Sequence, residues 1–129
     1  MKEIKAIIKP FMLEKVIEAL REIPGLSAVT ISPAHGLSVK RSTFDQVVHT
    51  KLEIIVLDEM VAAVVEAIQK AAHTGNPGDG RIFVIPVEQT VKIRSGENDM
   101  QRHRQSMQTN SPALPVGTPG EMNPPKQNE

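Results

Sequence analysis

The sequence predicts an α+β domain in which two helices cover one face of an antiparallel sheet, in the order β-α-β-β-α-β. Three observations lead there. Short segments rich in Ile and Val alternate apolar and polar residues at a period of two. Two longer segments between them repeat apolar residues at helical spacing. Pro or Gly punctuates the junctions.

Taken in order, Lys2 to Lys9 places Ile4, Ala6 and Ile8 on one face of a first strand, with Ile7 opposite, and Pro10 ends it. Leu13, Val16, Ile17, Leu20 and Ile23 form the stripe of a first helix, with Glu14, Glu18, Arg21 and Glu22 off it, and Pro24-Gly25 stops it. Ser27 to Ser32 is short and β-branched, a second strand; Lys51 to Leu57 is a third. Asp58 is placed to cap a second helix that turns Val61, Val64, Val65, Ile68 and Ala72 inward and ends at Gly75. Arg81 to Val84 is the fourth strand. Gln89 to Arg94 alternates Val91 and Ile93 and is expected to pair as an edge or bridging strand. This is the ferredoxin-like arrangement. Its second sheet face has no third layer in so short a chain, so a compact homo-oligomer is expected.

The folded domain is expected over residues 1–97. From 98 to 129 there is no Ile or Phe, and five of the ten prolines fall there. Such a tail buries too little apolar surface to offset the roughly 1–2 kcal/mol per residue of backbone ordering and is expected to be disordered, with Met100 to Met107 its best helix-forming stretch.

Composition excludes several functions. Fifteen Lys plus Arg stand against fifteen Asp plus Glu, which is no general nucleic-acid binder. Cysteine is absent, so disulfides, thiol catalysis and cysteine-bound zinc are excluded. Three Phe are the only aromatics, too few for single-strand stacking or an RNA-recognition sheet. No apolar run approaches the roughly 20 residues of a membrane span, and the amino terminus lacks a signal-peptide pattern, so a cytoplasmic protein is expected. No carboxylate pair or His–nucleophile arrangement supports an enzyme.

Three segments can carry chemistry. Thr74-Gly75-Asn76-Pro77-Gly78-Asp79-Gly80-Arg81 packs three glycines between a helix and a strand. It reads either as a helix stop plus a tight turn, or as a nest of glycine N–H groups converging on an anion, with Arg81 adding charge. Lys92 and Arg94 alternate along one strand and point the same way, either as a charged edge or as two cations for a polyphosphate. Pro33 to Thr50 is far longer than a hairpin needs and carries His35, Lys40, Arg41 and His49; long loops of this kind are commonly functional. A metal held by His35 and His49 lacks a third ligand.

Together, Ala6-Ile7-Ile8-Lys9-Pro10-Phe11, Thr74 to Phe83 and Ile93-Arg94-Ser95-Gly96-Glu97 closely resemble the PII signal-transduction proteins over residues 1–97. The resemblance implies a trimer of ferredoxin-like subunits, with an adenine nucleotide (AMP, ADP or ATP) in the clefts between them. It also implies a flexible T-loop that docks on a transporter, enzyme or regulator. It places Gly78, Asp79, Gly80 and Arg81 at the phosphates and Lys92 and Arg94 as cations from the neighbouring subunit. Ile7, Thr30, Gly36, Glu53 and Ile55 would line the adenine and ribose pocket. The departures are informative. The T-loop is shorter than the family's and its uridylylated tyrosine is missing. The glutamine that helps hold magnesium and 2-oxoglutarate has no match, and His49 replaces the lysine that pairs the 2-oxoglutarate carboxylate. His35, Lys40, Arg41 and His49 therefore become candidates for a second, small anion. Bicarbonate, as in carboxysome-associated members, is the expected effector; a nitrogen-regulatory protein binding ATP and 2-oxoglutarate, or a metal-responsive trimer, are the alternatives.

Overall fold

The structure, a computed structural model, describes residues 1–40, 42 and 44–99. Arg41 and the tail from residue 100 onward, including the Met100 to Met107 stretch, lie outside the described residues. Two compact units divide the chain, Met1–Glu88 and Gln89–Glu129.

Six regular elements lie in the first unit. They are β1 (Lys2–Ile8), α1 (Leu13–Arg21), β2 (Thr30–Leu37), β3 (Gln46–Val56), α2 (Val61–Ala72) and β4 (Gly80–Pro86). The four strands form one antiparallel sheet in the order β2-β3-β1-β4. The ferredoxin-like fold read from the sequence is the observed one.

Its core follows from the two periodicities. Ile4, Ala6 and Ile8 of β1 lie opposite Ile54, Leu52 and Thr50 of β3, and the apolar members of this set are buried. Val16 and Leu20 of α1 and Val64, Ile68 and Ala72 of α2 close over them in one cluster. Pro10 does more than end β1. It opens a 3-10 turn, Pro10–Met12, that leads into α1, a place where its missing N–H is no loss.

The other sheet face is left open by the helices. Registration puts Glu3, Lys5 and Ile7 of β1, Lys51, Glu53 and Ile55 of β3, and Arg81, Phe83 and Ile85 of β4 on it. From β2 it takes Thr30, Ser32, Ala34 and Gly36. Ile55 and Phe83 remain substantially exposed there.

Three local expectations are corrected. The second strand does not occupy Ser27 to Ser32; it starts at Thr30 and continues through Pro33 to Leu37. Pairing with β3 extends to Leu37↔Gln46, so most of the supposed long loop is ladder and only 38–45 connects the strands. Pro33 is tolerated because β2 is an edge strand, with one side free of ladder bonds. Asp58 does not cap α2, which is entered through a 3-10 turn without a side-chain cap. Its carboxylate instead accepts the Met1 ammonium at 2.8 Å and Lys2 Nζ at 2.9 Å. Those two cations, the amine first, hold Asp58 near pKa 2 against its ordinary 3.8. Finally, α2 stops at Ala72 because His73 turns extended, so Gly75 belongs to the following loop and is no helix cap.

Candidate functional site

The glycine loop is built around one carboxylate. Asp79 Oδ2 accepts the backbone N–H groups of Thr74 and Gly75, both at 2.9 Å. Its Oδ1 accepts the Thr74 hydroxyl and pairs with Lys9 Nζ at 3.1 Å. Lys9 also donates to Thr74 Oγ1 at 3.2 Å, and that oxygen accepts the Asn76 N–H at 3.1 Å. Hydrogen bonds from Thr74, above all, with those from Gly75 and Lys9 hold the Asp79 carboxyl far below the usual carboxylate range. The N–H groups at the start of the loop are therefore already committed to Asp79. The anion nest expected from the glycines is partly filled from within.

Gly78 and Gly80 have φ of 87° and 105°, in the left-handed region that side chains avoid. At Gly80 a Cβ would stand 1.7 Å from the Ile7 carbonyl oxygen, so loop and β1 touch backbone to backbone. Beside this contact lies a cleft of about 320 Å³ between α2, β1 and β4. Ile8, Ile68 and Ile82 are among its apolar lining, and Gln69, His73, Asp79 and Arg81 are its polar members.

The remaining positions fall into separate groups. Ile7 lies directly opposite Arg81, next to the glycine loop. Thr30 lies opposite Glu53, which is level with Lys5, and Ile55 is level with Glu3. Gly80 is level with Ile8, so Ile55 sits five residues, or about 17 Å, along the sheet from it. Gly36 pairs with Val47 in the part of the hairpin that extends past β1. One chain does not close a single pocket around all of them.

Lys92 and Arg94 lie in the second unit, and their expected alternation on a strand is corrected. Val91 bridges Asn98, Lys92 N–H donates to Glu97 O at 2.9 Å, and Gly96 N–H returns to Lys92 O at 2.8 Å. Gly96, with φ of 75°, closes that turn, and Arg94 is inside it. Both cations are exposed.

His35 and His49 do not converge either. His35 pairs with Val48 and His49 with Ala34, consecutive rungs whose side chains take opposite faces. His35 Nδ1 lies 3.1 Å from Gln46 Oε1, while His49 Nε2 lies 3.1 Å from the Gly78 carbonyl oxygen. The two rings therefore take opposite faces of the hairpin. Lys40 is exposed at the hairpin tip. Sequence reading placed Thr74 at the start of the loop but gave neither it nor Lys9 a part in bracing it. The signal was faint: a lysine directly after a strand, and a hydroxyl directly before a glycine run.

The family profile described as "Nitrogen regulatory protein P-II" matches residues 1–97. The nitrogen regulatory protein P-II of Azospirillum brasilense is 44% identical over 107 residues, spanning 75% of this chain and 95% of that protein. The chain belongs to the P-II family. The P-II protein of Rhizobium meliloti is 42% identical over 110 residues, covering 78% of this chain and 97% of the relative. A solved structure of Arabidopsis thaliana PII bound to citrate superposes with a TM-score of 0.67 at 35% identity, over 75% of this chain and 83% of that one. As a P-II protein the chain is a signal-transducing regulator. Among the described residues no helix is long and apolar enough to cross a membrane.

Proposed function

We propose that this P-II protein is a non-enzymatic cytoplasmic homotrimer that binds an adenine nucleotide between subunits and signals through its hairpin tip. Gly78, Asp79, Gly80 and Arg81 meet the phosphates, joined by Lys92 and Arg94 of the neighbouring subunit. Ile7, Thr30, Gly36, Glu53 and Ile55 line the adenine and ribose pocket. The observation that carries this reading is the internally braced glycine loop, held by Asp79 and Lys9 next to Arg81. Such bracing fixes the start of the loop, so that only the peptide at Gly78 and the donors after it adjust to an arriving phosphate. The roughly 17 Å separation of the loop from Ile55 within one chain supports a pocket shared between subunits.

Calorimetry should show AMP, ADP or ATP binding to the wild-type chain. Arg94→Ala should weaken it by roughly 1.5–3 kcal/mol, the loss of a charge-assisted phosphate contact. A flat titration with all three nucleotides would overturn the reading.

The relatives' names favour nitrogen regulation over a carboxysome role; the family resemblance then implies ATP with 2-oxoglutarate as co-effector. The citrate on the Arabidopsis protein fits a small carboxylate as well. One observation counts against 2-oxoglutarate and so keeps bicarbonate as a second reading: His49 stands where the family has the lysine that pairs 2-oxoglutarate, and its Nε2 is turned to the Gly78 carbonyl. An ADP titration repeated with each anion decides between them. By linkage, the true co-effector shifts nucleotide affinity as much as nucleotide shifts its own.

A further inference from the structure

We propose that His49 is a positioning residue that joins the signalling hairpin to the glycine loop, so that occupancy of the loop sets the hairpin's orientation. This rests on the nucleotide reading above and names the contact that transmits it. The β1–β3 ladder ends at the Ile8↔Thr50 pair. His49 is therefore the first β3 residue beyond the four-stranded sheet. From there to the tip, residues 46–49 pair only with 34–37, as a two-stranded ribbon. Such a ribbon has little stability or fixed direction of its own. Its apolar residues, among them Leu37, Val47 and Val48, are exposed rather than packed on a third element.

At that joint, His49 Nε2 donates to the Gly78 carbonyl, 29 residues away in sequence. A carbonyl accepts only, so Nε2 carries the proton. Gly78 is the residue before Asp79, and Asp79 is locked to Thr74, Gly75 and Lys9. The loop is thus gripped from two neighbouring strands. Lys9 holds it from the end of the central strand β1, a fixed anchor. His49 holds it from the ribbon that is free to swing. A phosphate that draws on the N–H groups beyond Gly78 reorients that peptide and pulls on His49, whereas Lys9 stays with Asp79.

The test exploits the absence of tryptophan from the chain. Phe44→Trp, at an exposed position near the tip, supplies a single emission signal. Saturating ADP should change that emission. Adding His49→Ala should abolish most of the change while calorimetry still shows ADP bound, and His49→Gln, which keeps an N–H donor, should restore part of it. An undiminished emission change in His49→Ala overturns the proposal, as does a loss that merely follows lost ADP affinity. Should wild type bind no nucleotide, the nucleotide reading fails and the transmission proposal with it. Amide exchange without ligand then still reports on the joint itself: His49→Ala should speed exchange about fivefold at both 46–48 and 75–78, as expected for one hydrogen bond, and leave β1 protected. Unchanged exchange at either segment removes the joint.

Discussion

Gly80→Ala should destabilise the domain by roughly 3 kcal/mol or more, near the upper end of single-substitution effects, and lower the melting temperature by about 12 °C or more. Two effects add. The residue's φ of 105° costs a side chain roughly 1–2 kcal/mol wherever it occurs. The added Cβ would also lie 1.7 Å from the Ile7 carbonyl oxygen and 2.8 Å from its carbon. Those atoms belong to the central strand and cannot swing aside as a side chain would. Relief requires β4 to leave β1 at the Ile8↔Gly80 pair, which opens the ladder beside the phosphate loop. Gly96→Ala is the matched control. It too has a positive φ, 75°, but meets nothing within 4 Å. It should therefore lose only about 1 kcal/mol. Thermal unfolding of both variants checks the contrast, and equal losses would show that backbone conformation alone matters at Gly80.

The core was legible because its signal is local. Ile4, Ala6 and Ile8, or Val64 and Ile68, declare their buried face by spacing alone, and the structure buries them. β2 was misplaced for the opposite reason. Pro33 and Gly36 are poor strand formers, and the strand there exists because Gln46 to Thr50 pairs with it. That is a tertiary effect with no local trace. The capping role given to Asp58 failed similarly, since Lys2 reaches it across 56 positions.

At the site, the glycine loop was visible as composition while its wiring was not. Three glycines in a short span announce unusual backbone, but they do not say which donors remain free. Asp79 takes the Thr74 and Gly75 donors, and the lysine that anchors this arrangement to the sheet, Lys9, stands 65 residues from Thr74. The Lys92–Arg94 alternation misled because a period of two is also what a tight turn closed by Gly96 can carry. The segment from Pro33 to Thr50 looked like a loop by length, and turned out to be a ribbon with His49 at its root.

Asp79→Asn should weaken ADP binding about tenfold or more, the effect of losing one charge-assisted interaction that shapes the loop. An amide oxygen can still accept the Thr74 and Gly75 N–H groups. Its NH₂ then faces Lys9 Nζ, donor against donor, where the carboxylate had paired at 3.1 Å. The pH dependence separates this cause from simple misfolding. Hydrogen bonds from Thr74 and Gly75 and the Lys9 contact lower the folded-state pKa of Asp79 below its ordinary 3.8. The unfolded chain therefore binds more protons than the folded one between those two values, so the stabilisation is complete above pH 3.8 and is lost as pH falls through the folded value. The amide of the variant has no proton to gain, which makes wild type minus variant the informative quantity. Asp58, also depressed, is common to both chains and cancels. Urea unfolding from pH 7 downward should show a constant gap between the two proteins until about pH 4, then a narrowing one as Asp79 of the unfolded chain takes up a proton that the folded, Lys9-paired carboxylate still refuses. A gap that stays constant to the lowest pH would mean that the carboxylate's charge does not brace the loop.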